Sequence, residues 1–346
     1  MMRFEALDEA WAVEVPGERL RALRRAAPAV REALLASGPV QALRACPLVS
    51  LPWPTGLAFS GAALSPAPYV QLTHRVWVVR FVDWAGQRRT LLFNPSDTER
   101  GARAPFYANL AQRYGSYVSF KLLGRAHGTV PSHLAALVLS VQDVDYLAYD
   151  HLHLQDVRGW LGAEGIPGIF PRAQLLVDRR EWAAARALHP VQYVWYAPDG
   201  TRGVDERRVV QLDGDGWLGP GVALLRTPGH SSGSRSLAVV TDGGLCVCSG
   251  NGVATECYAP MQSRLPGLRT WAERMGCEVV PSGSTREAGL DQYSSMVLEK
   301  LVAGPSAVDP LYPNVYPTSE LTDCLLSPGL SPTFVLDPPS QGNLQP

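Results

Sequence analysis

The chain of 346 residues predicts a mixed α/β (α+β) fold. From about residue 70 onward, short runs rich in Val, Leu and aromatic residues alternate with amphipathic stretches, the pattern of sheets covered by helices. Turn signals such as "WAGQ" and "DGG" separate consecutive runs and read as hairpin connections. Hydrophobic residues make up 46% and charged residues 18%, a balance that buries a sizeable core as one large domain or two smaller ones.

Taken in order, "GERLRALRRAAPAVREALLASG" places Leu20, Leu23, Val30 and Leu34 at helical spacing, with Pro28 as a break or a fresh helix start. "CPLVSLPWPTGLAFSGAALSPAPYV" is apolar but punctuated by Pro and Gly, and reads as a segment lying across the main body. "RVWVVRFVD" and "RRTLLFN" read as paired strands. "LAALVLSVQDVDYLAYDHLHL" reads as a helix, a short turn and a buried strand that stops at a His pair, and "AQLLVDRREWAAARAL" as a strand followed by a helix. "RRVVQLDGDGWLGPGVALLRTPGH" reads as two strands around a Gly/Asp turn, ending at His230. "SRSLAVVTDGGLCVCSGN" is a hairpin that puts Cys246 and Cys248 on one buried face, and "PGLRTWAERMGCEVVPSGS" reads as helix, strand, loop. Beyond residue 304 the chain is dense in Pro and Ser and reads as an irregular tail wrapping the body.

A formal net charge of −1 offers no basic field to recruit nucleic acid or anionic lipid. The N-terminal "MMRFEALDEAWAVEV" lacks the apolar stretch of a secretory signal, and no window reaches the roughly 18 apolar residues a spanning helix needs. Six cysteines without regular spacing suit reduced thiols. The expectation is a cytoplasmic protein with a small-molecule substrate, no nucleic-acid or membrane partner, and homo-oligomerisation left open.

The chemistry concentrates in "AYDHLHLQDVRGWLG", residues 148–162. In an extended segment His151 and His153 project to one side while Leu152 and Leu154 turn the other way into a core. His230 follows a later strand inside "TPGHSSGS". Three imidazoles with an open fourth position let a zinc ion bind water and lower its pKa to about 7.

Across roughly residues 70–285, "VQDVDYLAYDHLHLQDVRGWLG", "FPRAQLLVDRREW", "GPGVALLRTPGHSSGS" and "CVCSGN" together resemble the metallo-β-lactamase superfamily, closest to its lactonase and general hydrolase branch. The resemblance implies a four-layer αββα sandwich with its metal site at one edge, where strand-end loops meet. It implies that His151, His153 and His230 are the ligands of a first metal. It also exposes departures at the second metal: Gln155 stands for an Asp, Asp156 for a His, Asn251 for the bridging Asp, and Ser282, Gly283 and Ser284 fill the stretch of a late His. A carboxylate and an amide without imidazole make a weak zinc site, so a second metal is not expected.

Two functional readings follow. In one, the chain hydrolyses a small ester, lactone or related carbonyl substrate with one zinc (alternatively iron or manganese); Asp156 accepts the proton of the metal-bound water. Gln155 and Asn251 would then hydrogen-bond water or substrate, and Arg158 would orient an anionic substrate or Asp156. In the other, the fold is catalytically degenerate and serves as a ligand- or partner-binding module. Tyr193, Trp195 and Tyr196 in "VQYVWYAPDG" are candidate pocket residues, although an aromatic strand packed in the core reads as well. His74 reads as a structural histidine, His127 and His133 as loop surface, and His189 as a helix end. Asp97 reads as a loop hydrogen bond. A nuclease reading fits poorly without a Lys/Arg stripe, while a thioester substrate stays open. The expected organisation is a helical and Pro-rich extension (1–66), a metallo-β-lactamase-like domain (67–303) and an irregular tail (304–346).

Overall fold

Side-chain alternation along the strands divides the apolar residues among three cores, and these separate four layers. The computed structural model describes residues 2–115, 124–283, 288–325 and 327–344. Numbered along the chain, the strands are β1 (Ala42–Pro54), β2 (Tyr69–Val82), β3 (Arg88–Phe93), β4 (Arg125–Ala126), β5 (Tyr146–Ala148), β6 (Gln174–Asp178), β7 (Val209–Leu212), β8 (Gly216–Gly219), β9 (Val222–Arg226), β10 (Arg235–Thr241), β11 (Gly244–Ser249), β12 (Val315–Pro317), β13 (Ser319–Thr322) and β14 (Ser340–Gln341). One sheet runs β14-β1-β2-β3-β5-β6-β7, with β13 added to β2 and β4 to β1. The other runs β12-β11-β10-β9-β8. In the first sheet β1, β2 and β3 pair antiparallel, and β3, β5, β6 and β7 pair parallel.

Trp77, Val79, Phe81, Phe93, Leu224, Leu237, Cys246 and Cys248 fill the space between the sheets. Their alternates face outward: Val76, Val78 and Leu92 under the helices of the first sheet, Ala223, Leu225, Ala238 and Val247 under those of the second. The period of two predicted for these strands is therefore observed on both sheets, and both cysteines point inward as expected. Two long helices, Pro16–Ala36 and Gly289–Ala303, pack on each other over the second sheet.

Several local expectations change. Pro28 neither breaks nor starts a helix; it sits inside Pro16–Ala36 on the exposed side, where solvent replaces the hydrogen bond it removes. The first part of the apolar, Pro-punctuated segment that begins at Cys46 belongs to strand β1, a regular strand of the first sheet. Its register on β2 shifts between Pro47 and Val49, so the chain accommodates Pro47 at a bulge. "RRVVQLDGDGWLGPGVALLR" makes three strands instead of two, because Asp213 and Gly214 carry the chain from β7 in one sheet to β8 in the other. The stretch after the helix Leu268–Met275 forms no strand. The tail does wrap the body, and it does so as sheet: β12 extends the second sheet, and β13 and β14 extend the first. The six cysteines are free thiols. Among the described residues no helix is long and apolar enough to cross a membrane.

Because residues 314–346 supply strands to both sheets, their deletion should lower the thermal midpoint by more than 10 °C or leave the protein insoluble; that corresponds to a loss of at least several kcal/mol. Unchanged thermal unfolding of the truncated chain would contradict this assembly.

Candidate metal centre

All of the site loops leave the C-terminal ends of strands: Asn94–Asp97 after β3, Tyr149–Gln155 after β5, Thr227–His230 after β9, and Gly250 after β11. The two sheets meet at this edge, so four loops distant in sequence become one site. His151, His153 and His230 come together there, with one nitrogen of each lying within 4.8 Å of the others. Ring centroids are 4.5 Å (His151–His153), 4.3 Å (His151–His230) and 5.1 Å (His153–His230) apart. The predicted triad is therefore assembled.

The local reason differs from simple strand alternation. Strand β5 ends at Ala148, three residues before His151. Leu152 goes into the core as expected, but Leu154 does not: its φ of +64° flips the chain, and its side chain lines the cavity instead. Its amide donates to Trp195 C=O at 2.7 Å, which ties the loop to the segment holding Tyr196.

Glu181, buried on the helix Arg179–Arg186, clamps both histidine loops. Its carboxylate accepts from Leu152 N–H (2.8 Å), from Tyr196 O–H (2.9 Å) and from Ser231 O–H. Leu152 lies between two of the triad residues and Ser231 directly after the third. The His230 loop is pinned from its other side by the helix Gly289–Ala303, where Ser295 O–H donates to Pro228 C=O at 2.6 Å. Only glycine fits at 229, since a Cβ there would lie 2.1 Å from Gln292 Cα.

The triad forms the floor of a cavity of about 560 Å³. Val49, Leu51, Trp53, Leu72, Tyr107 and Trp195 supply its apolar walls. Trp53, Phe106 and Trp195 pack with ring centroids 5.0–5.6 Å apart behind that wall. Asp150, Gln155, Ser96, Asp97 and Glu99 supply polar lining, and no Lys or Arg reaches it among the described residues.

Burial, with the charges of His151 and His230, pushes His153 well below the ordinary imidazole range. Burial and the charge of His151 bring His230 down to about 3. Both rings are thus neutral at neutral pH, the state a metal ligand requires. For His151 burial opposes the proton, but the adjacent Asp150 carboxylate outweighs it and raises the ring. Buried polar atoms without a hydrogen-bond partner gather at this place: His153 Nε2, His151 Nδ1, Gln155 Oε1, Asp150 Oδ2 and Asn251 Oδ1. A divalent ion on the three imidazoles answers the first of these, so the donor set fits a metal.

The other sequence candidates are placed differently. Asp156 is held away from the cavity: Arg158 donates to it from its backbone N–H (3.1 Å), Nε (2.9 Å) and Nη2 (2.7 Å), and Arg100 Nη1 lies 3.4 Å away. Burial raises this carboxylate and the Arg158 contacts outweigh it and lower it; the group expected from sequence as the base is thus ion-paired and does not line the cavity. Arg158 makes an ion pair with Asp156 and does not line the cavity. Asn251 is turned from the cavity because its amide donates to Glu299 Oε1 at 2.7 Å. Tyr193 is 55% exposed, outside the cavity, while Trp195 on the same short 3₁₀ turn lines it. Tyr196 buttresses His153 from below, ring to ring at 4.8 Å. Gln155 and Ser282 do line the cavity, Gly283 N–H donates to Leu57 C=O, and Ser284 lies outside the described residues.

His74 is structural, as expected, although it borders the cavity: Ser96 Oγ and Ser319 Oγ occupy its two nitrogens at 2.8 and 3.1 Å. His127 bonds Ser50 Oγ (2.7 Å), His133 bonds Pro47 C=O (2.7 Å) and His189 accepts from Val191 N–H (3.2 Å). Asp97 caps the short helix Thr98–Gly101. Sequence reasoning missed Asp150, Glu181 and Glu299; a charged residue inside an apolar strand–helix run was the available signal.

No family model matches the chain. An N-acyl homoserine lactonase of Bacillus thuringiensis is 32% identical over 100 residues, 29% of this chain and 34% of the relative. The match therefore spans about a third of the length of the curated relatives. Among solved structures, a quorum-quenching N-acyl homoserine lactone hydrolase aligns with a TM-score of 0.51 at 18% identity, covering 82% of this chain and 93% of that one. The chain has the metallo-β-lactamase fold. A hydrolase of the β-lactamase superfamily, AbOPH, aligns at 0.46 with 15% identity over 84% of this chain and 92% of its own. A probable metal-dependent hydrolase of Staphylococcus aureus aligns at 0.48 with 16% identity over 66% and 79%. On a metallo-β-lactamase fold, the edge bearing the triad is where the resemblance in sequence put the metal.

Two predictions follow from these clamps. Glu181→Ala strands three donors in the core and should destabilise the fold by about 3–5 kcal/mol, read as a lower urea midpoint. Glu299 accepts from Ser236, Asn251 and Tyr258, and burial raises it from 4.5 to about 7. The unfolded chain then ionises first, so stability falls as pH rises from about 4.5 to 7. Glu299→Gln should flatten that fall by on the order of 2 kcal/mol, while Asp215, also raised by burial to about 7, retains its own share. Equal pH slopes in urea titrations of both proteins would refute the assignment.

Proposed function

We propose that the chain is a metal-dependent hydrolase of a small neutral ester, lactone or related carbonyl compound, using one metal ion held by His151, His153 and His230. The convergence of three buried imidazoles on the floor of an apolar-walled cavity carries this reading. Three nitrogen donors suit zinc, with iron or manganese as alternatives. When bound, the ion supplies Lewis acidity toward a carbonyl oxygen and lowers the pKa of water at its open position.

The chain's own residues do the rest. Gln155 Oε1, buried and unpartnered, accepts a hydrogen bond from a water or a substrate N–H beside the triad. Trp53, Leu51, Leu72 and Trp195 hold an apolar substituent and keep bulk water from the floor. Because Asp97, Glu99 and Asp150 line the cavity and no cationic side chain does among the described residues, a neutral substrate is favoured over a carboxylate. An acylated lactone, the class named for the Bacillus relative, satisfies both conditions. With Asp156 bound by two arginines and the Asn251 amide held to Glu299 by its nitrogen, no carboxylate near the triad stands free in the place of a second-ion ligand. The same sequestration favours the second reading, a binding module without turnover.

Metal analysis of protein purified without chelator or nickel resin decides between them. The expected result is about one ion per chain, absent from a His151→Ala/His230→Ala double variant, with hydrolysis of a lactone and ester panel lost in parallel. Near two ions per chain would overturn the single-metal site. No ion and no turnover would leave the binding module.

A further inference from the structure

We propose that Asp150 is a positioning residue, whose carboxylate holds the His151 ring by Nδ1 and leaves Nε2 to the metal. This rests on the metal site proposed above.

Both sheets pin the Asp150 backbone. Its N–H donates to Asn94 Oδ1 at 2.9 Å, on the loop after β3, and its C=O accepts from Arg235 N–H at 2.8 Å, at the start of β10. The buried side chain lies with Oδ1 3.0 Å from His151 Nδ1, a close charge contact short of an aligned hydrogen bond, and the same oxygen accepts from His151 backbone N–H at 2.8 Å. Ring and backbone of one residue thus meet a single carboxylate oxygen, which limits where the His151 ring can lie.

The "SGN" turn closes the arrangement from above. A Cβ at Gly250 would lie 2.4 Å from Asp150 Oδ2 and 3.4 Å from His151 Cε1, so the absence of a side chain there is what lets the carboxylate occupy its place. An imidazole anchored at one nitrogen by a carboxylate presents the other in a fixed direction, and such partners change metal affinity by 10–100-fold. The other two triad residues are held differently, His153 against Tyr196 and His230 through its Glu181-bonded neighbour, so of the three rings only His151 is in direct contact with Asp150.

The test uses the full chain stripped of metal by a chelator, then titrated with zinc against a chromophoric competitor. Asp150→Asn keeps the shape and removes the charge; Gly250→Ala keeps the carboxylate and takes its space. Both should weaken zinc binding 10–100-fold, while far-UV circular dichroism of the metal-free proteins is unchanged. A second readout needs no metal: at pH 8, long-range ¹⁵N–¹H spectra should place the His151 proton on Nδ1 in the wild type and lose that preference in Asp150→Asn. Wild-type zinc affinity in both variants, or an unchanged His151 tautomer, would overturn the assignment. Loss of the tautomer preference in a protein that binds no zinc would sustain the positioning role and overturn the metal-site reading.

Discussion

The Glu181 carboxylate is the constraint on which the site depends. It is buried, and an ion in that position is tolerated only when donors satisfy it. Here the donors are the Leu152 amide, the Tyr196 phenol and the Ser231 hydroxyl, so the requirement to solvate one anion draws three separate chain segments to a point. Two of those segments carry the triad. The helix bearing Glu181 is itself fixed by Asp178, which caps its first turn and pairs with the buried Arg235 at 2.8 Å. Arg235 N–H in turn binds the Asp150 carbonyl. A chain of buried polar contacts thus runs from the end of β6, through β10, to the residue before His151.

This rigidity complements the electrostatics of the floor. Three imidazoles at 4.3–5.1 Å between centroids cannot all be protonated in a buried space, and two of them are pushed far toward the neutral form. Only His151, beside Asp150, is pulled the other way. The arrangement is a preorganised donor set with one carboxylate partner, which lowers the reorganisation needed to bind a cation.

The sheets and the triad were legible in the sequence because their signals are local. Alternation in "SLAVV" and "GLCVCS", and a histidine a few residues past a strand, depend on neighbours close in the chain. What was illegible depends on partners far along the chain. The Pro-punctuated residues of β1 carry no strand signal of their own and pair only because β2 lies alongside, and the Pro-rich tail reads as irregular until two sheet edges pair with it. Asp156 sits at a ligand position in the motif, yet Arg158 two residues on and Arg100 across the fold decide where it points. Leu154 departs from the strand pattern because its backbone enters the left-handed region, a conformation that a leucine does not announce.

The flanking polar groups differ from the triad in one physical respect: each already has a fixed partner, except one. Asp156 is saturated by guanidinium donors, and releasing it would leave Arg158 without its main counter-ion. Asn251 is the donor that Glu299 needs, and a carboxylate in its place would set two acids side by side in a buried network with Ser236 and Tyr258. The altered residues are therefore embedded in compensating contacts, and no single reversal would restore an anionic pair beside the triad. Gln155 is the exception. Its carbonyl oxygen stays buried and unpartnered at the cavity floor, a neutral acceptor where a full charge would have to be balanced.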